Sequence, residues 1–198
     1  MKLYDLTLSG NCYKVRLFLG LIGQRAELQT LDLRAGEHKR ADYLTINPRG
    51  QVPALVDGEL LLGDSQAILV YLARRYADEA WYPLDAISQG RIAGWLSFAA
   101  NEIHHGPGMA RLGKLFGMPI DQAGAQQKAL AVLALLDAHL ARHDWLAQGN
   151  QPNIADVAVY PYVALAGDAG IDLSPYVHLA AWCVRIRALP GYIGMPGL

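Results

Sequence analysis

Hydrophobic and polar positions in the first part of the chain follow two different periods in turn. Lys2 to Leu6 is short and rich in Leu and Tyr, which predicts a first strand. Apolar residues at positions 15, 18, 19 and 22 then have the spacing of a helix that ends at Gly23, and Ala26 to Leu33 predicts a second strand. A strand, a helix and a strand in this order favour a parallel pair with a right-handed crossover.

The stretch from Asn47 to Leu72 places a proline directly before a predicted hairpin. Pro53 follows Val52, fixes its own φ angle and cannot donate a ladder hydrogen bond. Four elements are predicted after it: a strand at 54–56, a tight turn at 57–58, a return strand at 60–62 and a helix that begins at Asp64-Ser65 and ends near Ala77. With an irregular helix in the polar residues 34–45, the first half is predicted as β-α-β-α-β-β-α.

Beyond residue 86 no strand pattern recurs, and the composition becomes rich in Ala and Leu. Four helical segments are predicted at residues 88–111, 121–146, 154–169 and 175–189, separated by Gly, Pro or Asn. Two of these segments begin with capping signals. Asn153, with Asp156 three residues later, precedes the third segment, and Ser174 precedes the fourth, which begins at Pro175. The chain is therefore divided into an α/β domain of residues 1–77, a linker of residues 78–86 and an all-α helical bundle of residues 87–198.

Composition and charge exclude several classes of protein. A length of 198 residues with 53% hydrophobic content predicts a globular chain with a core. A net charge of -1 shows no excess of basic residues that would indicate binding to nucleic acid or to an anionic membrane. Cys12 and Cys183 form no disulfide framework and the N-terminus has no signal sequence, so a cytoplasmic protein is predicted. No apolar run approaches the ~20 residues that span a bilayer.

Ser9, Asn11 and Cys12 lie where the first strand ends and the first helix begins. The free N–H groups of a helix N-terminus favour an anion such as a thiolate there. A hydrogen bond from Ser9, worth ~1.5–3 kcal/mol, would lower a thiol pKa of ~8.5 by roughly one to two units. The residues alone favour a simpler interpretation, a loop turn and a helix cap for Ser9 and Asn11. Cys12 stands where the second cysteine of a C-x-x-C motif would be, but the first position is Ser9, so there is no pair of thiols. Cys12 is therefore interpreted as a small buried residue.

A second candidate anion site heads the helix at Asp64-Ser65. Ser65 is predicted to be the N-cap, which stabilises a helix by ~1 kcal/mol, and the N–H groups that it leaves free can still bind a carboxylate. His38 and Lys39 precede the proline loop and could add positive charge, although a solvated surface explains them as well.

The histidines do not predict a metal site. His104 and His105 are adjacent, so on a helix their side chains diverge by ~100°. His139 and His143 have the i, i+4 spacing but lack the glutamate of an H-E-x-x-H motif.

The run INPRGQVPALVDGELLLGDSQAILVYLARRY, followed by a helical half with NIADVAVYPYV, resembles a cytosolic glutathione transferase over nearly the whole chain. The resemblance implies a thioredoxin-like fold for the first domain, a homodimer, and glutathione as co-substrate with no metal. It also implies a cis peptide at Val52-Pro53, with the Val52 backbone pairing with the cysteinyl part of glutathione. Further contacts are implied for its γ-glutamyl end, by Asp64 and Ser65, and for its glycyl end, by His38, Lys39 and Gln51.

The loop LYDLTLSGNCYKVRLF is similar to that of bacterial and theta-class members of the serine type, in which a serine at the position of Ser9 donates its hydroxyl to the glutathione sulfur. Theta-like loops have proline where this chain has Asn11. A nu-like bacterial variant therefore stays open, in which an asparagine contacts the sulfur and disulfide reduction is favoured. Tyr4 lies inside the first strand, which disfavours a tyrosine-type mechanism.

The resemblance implies that a glutathione thiolate attacks a small hydrophobic electrophile in a pocket between the halves, as in detoxification. Two alternatives are a glutathione-dependent disulfide reductase and a non-catalytic binding or interaction module; the intact Pro53, Asp64 and Ser65 argue against the module. Pocket residues are predicted from their position, and core or dimer contacts explain them equally well: Leu8, His104, His105, Met109, Leu112 and Phe116.

Overall fold

A computed structural model describes all 198 residues, Met1–Leu198. The first half contains one mixed sheet with strand order β2-β1-β3-β4. Its strands are β1 Lys2–Asp5, β2 Glu27–Thr30, β3 Ala54–Asp57 and β4 Leu60–Leu62. β1 pairs in parallel with β2, and β3 is antiparallel to both β1 and β4. The predicted parallel pair is confirmed, but β2 is shorter than predicted and lies at the exposed edge of the sheet.

Helices make up the rest of the fold. The α-helices are α1 Gly10–Leu21, α2 Ala41–Ile46, α3 Ser65–Tyr76, α4 Ala86–Phe98, α5 Met109–Phe116, α6 Gln122–Leu140, α7 Ile154–Ala164 and α8 Val177–Arg187. Short 3-10 turns are found at Glu37–Lys39, Glu79–Trp81 and Ala166–Ala169. The order β-α-β-α-β-β-α followed only by helices confirms the predicted fold class. None of the helices is both long and apolar enough to cross a membrane.

The predicted helix at residues 88–111 is interrupted. Between α4 and α5 the backbone forms a π-helical segment, Ala99–Gly108, which contains Pro107. Proline has no N–H to donate and its ring displaces the preceding turn, so regular α-helical bonding does not continue through it. The wider turns also change which side chains share a face.

The start of α8 also differs from the prediction. Instead of capping a helix that begins at Pro175, Ser174 bonds through its N–H and its hydroxyl to the Asp172 carboxylate. The helix begins only at Val177. Asn153, by contrast, caps α7 and forms a complete capping box with Asp156, as predicted.

A single hydrophobic cluster of 41 buried residues extends through both halves, so the two share one core. Helix α1 is central to it, with buried residues on nearly every side. The ring of Tyr13 on α1 lies 6.5 Å from that of Tyr160 on α7, and its hydroxyl donates to the Ile193 carbonyl at 2.7 Å. Because these contacts fix α1 against the helical half, its N-terminus has a defined position beside that half.

Candidate active site

A cleft of about 490 Å³ lies where the two halves meet. Its walls come from the start of α1, the loop before β3, the start of α3, the π-helical segment, α5 and α7. Every residue predicted to contact glutathione lines it: Ser9, Asn11, His38, Lys39, Gln51, Val52, Pro53, Asp64 and Ser65. Residues from four separate segments of the sequence therefore share one cavity.

Ser9 is the N-cap of α1. Its Oγ accepts a hydrogen bond from the Cys12 N–H at 3.3 Å, and its carbonyl accepts one from the Tyr13 N–H at 2.8 Å. Because the Oγ acts here as an acceptor, the hydroxyl hydrogen remains available to a ligand in the cleft. The cap therefore leaves Ser9 free to act as a donor.

Cys12 is fully buried beneath this loop and its sulfur accepts a hydrogen bond from the Leu6 N–H at 3.3 Å. Burial raises the pKa of the Cys12 thiol to about 12. A thiol of that pKa carries no thiolate at neutral pH, and the thiolate is the reactive form. Cys12 is thus a packing residue, in keeping with its interpretation from the sequence.

The loop before β3 is held by buried polar side chains that the sequence analysis did not single out. The Asn47 amide donates to the Gln51 carbonyl at 2.7 Å, and the Tyr43 hydroxyl donates to the same carbonyl at 2.6 Å. The Val52-Pro53 peptide is cis. The backbone N–H and C=O of Val52 have no hydrogen-bond partner within the chain, so both remain available for an extended ligand.

The start of α3 corrects one assignment. Asp64, and not Ser65, is the N-cap: its Oδ1 accepts from Gln66 N at 3.0 Å and from Ala67 N at 3.1 Å. Asp64 has the extended backbone of a cap, with φ -125 and ψ 130, whereas Ser65 is already helical. Arg49 pairs with the other carboxylate oxygen at 3.4 Å and also lines the cleft.

Three basic side chains line the cleft near the loop before β3. Lys39 is partly engaged already, since its Nζ donates to the Gly50 carbonyl at 3.0 Å. The Nδ1 atom of His38 is buried and has no partner within the chain. Together with Arg49, these side chains offer donors to a carboxylate.

The far wall of the cleft contains only half of the predicted pocket residues. His104, Leu112 and Phe116 line it, together with Ala99 and Ala100. Burial, followed by the charges of His105 and Lys14, lowers the pKa of His104, which favours the neutral imidazole.

Three predicted pocket residues lie elsewhere. His105 is exposed and its ring contacts the Asn101 carbonyl at 2.8 Å, Met109 packs against the core, and the Leu8 side chain is outside the lining. His105 directly follows His104, and adjacent side chains of a helix point in different directions, so His105 turns away where His104 lines the cleft.

Arg111 and Tyr162 are lining residues that the sequence analysis missed. Arg111 is 2% exposed, donates to Asp168 Oδ2 at 2.8 Å and to the Leu8 carbonyl at 2.7 Å, and so joins α5 to the Ser9 loop. Tyr162 packs its ring against Gly10, and burial raises the pKa of its hydroxyl to about 12. Only the packing of α5 against the Ser9 loop and of α7 against α1 reveals these roles.

Gly10 is expected to be intolerant of a side chain. A Cβ at this position would lie 2.7 Å from both Cε1 and Cζ of Tyr162. Since Tyr162 is buried, we expect Gly10→Ala to lower the free energy of unfolding by about 1–3 kcal/mol, the usual effect of overpacking. Urea denaturation measures this. Gly90→Ala is the control, because a Cβ there meets no atom within 4 Å. An equally stable Gly10→Ala protein would contradict the close packing.

A mixed sheet with a cis-proline loop, joined to a helical half across a cleft, defines a thioredoxin-like protein with an added helical domain. Comparison with known families agrees with this class. The model of the glutathione S-transferase N-terminal domain matches residues 3–80, and that of the C-terminal domain matches residues 79–185. The chain therefore belongs to the glutathione S-transferase family, whose members are transferases that use glutathione as a co-substrate.

Individual relatives agree along the chain. Glutathione S-transferase 2 of Anopheles gambiae is 32% identical over 95% of this chain and 91% of its own length. Human glutathione S-transferase theta-2B is 32% identical over 89% of this chain and 76% of its own length. The crystal structure of a glutathione S-transferase from Xanthobacter autotrophicus Py2 has a TM-score of 0.90 and 30% identity, covering 99% of this chain and 97% of that one.

Proposed function

We propose that the cleft binds glutathione with its sulfur at the Ser9 loop and transfers it to a small hydrophobic electrophile. One observation carries the proposal: residues chosen from the sequence for the two ends and the centre of the tripeptide line one cavity. The free N–H and C=O of Val52 support pairing with the cysteinyl backbone. Asp64 and Ser65 at the start of α3 suit the γ-glutamyl group, and His38, Lys39 and Gln51 suit the glycyl end.

In the proposed reaction Ser9 donates its hydroxyl hydrogen to the glutathione thiolate. The hydrogen bond favours the ionised sulfur, which then forms a bond to an electrophilic carbon while the bond to the leaving group breaks. Asn11 is proposed as a second donor to the sulfur. Ala99, Ala100, Leu112 and Phe116 supply apolar surface for the electrophile, and neutral His104 is the polar group among them.

A turnover screen tests the proposal. Purified protein is assayed with glutathione and 1-chloro-2,4-dinitrobenzene, and separately with hydroxyethyl disulfide. We expect the aryl halide to be turned over faster. Preferential turnover of the disulfide would favour the nu-like alternative and contradict conjugation. Failure to bind immobilised glutathione, with no turnover of either compound, would favour a non-catalytic module.

We also propose that the protein acts as a homodimer, as the family resemblance implies. Leu84 and Ile87, near the start of α4, are 64% and 69% exposed, and large apolar side chains of this kind are common at interfaces. Sedimentation velocity is expected to give twice the 21.6 kDa chain mass. A single species at the mass of one chain would contradict the dimer.

A further inference from the structure

Lys14 is a fully buried lysine directly behind the cleft. It lies in the second turn of α1 with 1% of its surface exposed. Its Nζ donates to Asn11 Oδ1 at 3.1 Å, to Ser65 Oγ at 3.3 Å and to Gln66 Oε1 at 3.5 Å. The Lys14 ammonium group therefore contacts two parts of the proposed glutathione site: the Ser9 loop, which would bind the sulfur, and the start of α3, which would bind the γ-glutamyl group.

The three acceptors around this ammonium are all neutral. None of the ion pairs within 4.0 Å includes Lys14. Lysine is almost never fully buried unless it is paired, because a charge without a counter-charge is strongly disfavoured away from water. The protein on its own thus leaves this group without a contacting anion.

We propose that Lys14 is a positioning residue of the glutathione site, which orients Asn11 and Ser65 and supplies the buried positive charge that the anionic ligand completes. This inference rests on the proposed function. An ammonium group has only donors, so the Asn11 atom that faces it must be the carbonyl oxygen. The Asn11 amide N–H groups are then left for the cleft, where they can donate to sulfur.

Distance places the ligand within electrostatic reach of Lys14. In the free protein the Ser65 hydroxyl donates to Gln66 Oε1. A ligand carboxylate oxygen that takes over this hydrogen at about 2.7 Å lies within about 6 Å of Nζ, since Nζ and Oγ are 3.3 Å apart. An opposite charge at that distance favours the charged form of a lysine and raises its pKa by about 1–3 units.

The effect of pH on ligand binding depends on the pKa that Lys14 has in the free protein. Burial lowers the pKa of Lys14 to about 7, while the Asp64 carboxylate at the start of α3 and Cys12 on α1 act in the opposite direction. His104 on the π-helical segment is the other titratable group that interacts with it. Because the ligand raises the Lys14 pKa, the complex binds the proton more tightly than the free protein does. Ligand affinity is therefore highest below pH 7 and falls as the pH rises through the higher pKa of the complex.

Calorimetry with S-methylglutathione at pH 8 tests the inference. This ligand has no thiol to release a proton, and at pH 8 His104, with its lowered pKa, stays neutral. Titrations in buffers of different ionisation enthalpy give the number of protons taken up. A rise of about 1–3 units from a pKa of about 7 corresponds to about 0.4–0.9 proton taken up by Lys14 at pH 8. The α-amino group of the ligand also titrates near this pH in every variant, so we expect the wild type to take up about 0.4–0.9 proton more per site than Lys14→Met does.

Affinity and stability complete the test. At pH 6.5 we expect Lys14→Met to bind about tenfold or more weakly and to lose the part of the pH dependence that comes from Lys14. The free protein should remain folded, since removal of a buried charge that has no contacting anion offsets the loss of its three hydrogen bonds. Lys14→Gln replaces it should the Met variant fail to fold. Lys128→Met removes an exposed lysine and is the control, with affinity and proton uptake expected to match the wild type.

The outcomes separate the two proposals. Binding by the wild type with no proton uptake, or with equal uptake and affinity in the Lys14 variant, overturns the role of Lys14 alone. Absence of any binding by the folded wild type overturns the proposed glutathione site, and the role of Lys14 with it.

Discussion

Replacing Ser9 with alanine is expected to raise the pKa of enzyme-bound glutathione by about 1–2 units, because a charge-assisted hydrogen bond of about 1.5–3 kcal/mol to the thiolate is lost. If the pKa returns from about 6.5–7.5 to about 8.5, the ionised fraction at pH 7, and with it kcat/KM for an aryl halide, should fall by about 8- to 25-fold. Thiolate absorbance near 240 nm, recorded across pH with glutathione bound, measures the pKa directly.

The sign of the pH effect gives a second check. The thiolate is the reactive form, so kcat/KM rises as the pH passes upward through the pKa of the bound thiol. Without the Ser9 hydroxyl this rise should move to higher pH, and the difference between variant and wild type should shrink at alkaline pH. A variant with reduced activity but an unmoved pH profile would show that Ser9 does not act on the sulfur.

Controls must separate the donor role of Ser9 from its role as a helix cap. Losing the cap of α1 is expected to cost about 1 kcal/mol of stability by itself. Ser9→Thr keeps both the hydroxyl and the cap and should stay close to the wild type in both properties. Asn11→Ala tests the competing sulfur contact. A larger pKa rise in Asn11→Ala than in Ser9→Ala would make asparagine the main donor, as in the nu-like alternative.

Local sequence pattern was sufficient for the order of the elements, because that order depends on short-range signals, whereas the proposed glutathione contacts came from the family resemblance. Pro53 before a strand and Ser9 before a helix are defined by their immediate neighbours, and both lie in the cleft. At the start of α3 two capping residues are adjacent. Only the backbone angles decide between them, and they make Asp64 the cap and leave Ser65 inside the helix.

Residues whose roles depend on packing between distant segments were not predictable in this way. Lys14 looks like an ordinary helical lysine until α3 is packed against α1 and encloses its side chain. Arg111 likewise gains its role only where α5 meets the Ser9 loop. The position of His105 on the first helix of the bundle predicts a pocket residue, but its side chain is exposed and only the adjacent His104 lines the cleft.

Asp156 is another residue whose full role depends on packing between distant segments. The sequence pattern around it indicates only a capping box. In the structure its carboxylate accepts three hydrogen bonds, from Leu146 N at 3.0 Å, Asn153 N at 3.1 Å and Trp182 Nε1 at 2.9 Å. Asp156 therefore ties the start of α7 to the loop before it and to α8. All three donors belong to buried residues.

Asp156→Ala is expected to be the most destabilising of these substitutions. It leaves three buried N–H donors without an acceptor, and at about 1–3 kcal/mol each the loss is about 3–9 kcal/mol. Such a loss approaches the entire stability of many domains, so much of the protein should be unfolded or insoluble. Asp156→Asn keeps one carbonyl oxygen as an acceptor, but its amide N–H group then faces a backbone N–H donor. We therefore expect an intermediate fall in the free energy of unfolding, about 2 kcal/mol.

Urea denaturation and the soluble fraction after expression measure these losses. Asp172→Ala is the control, because that exposed carboxylate also accepts a backbone hydrogen bond, from Ser174 N at 2.9 Å, yet its donor can turn to water when it is removed. We expect the control to change stability by less than about 1 kcal/mol. Equal losses of stability for Asp156→Ala and Asp172→Ala would contradict the argument that the three buried donors make Asp156 important for the stability of the helical half.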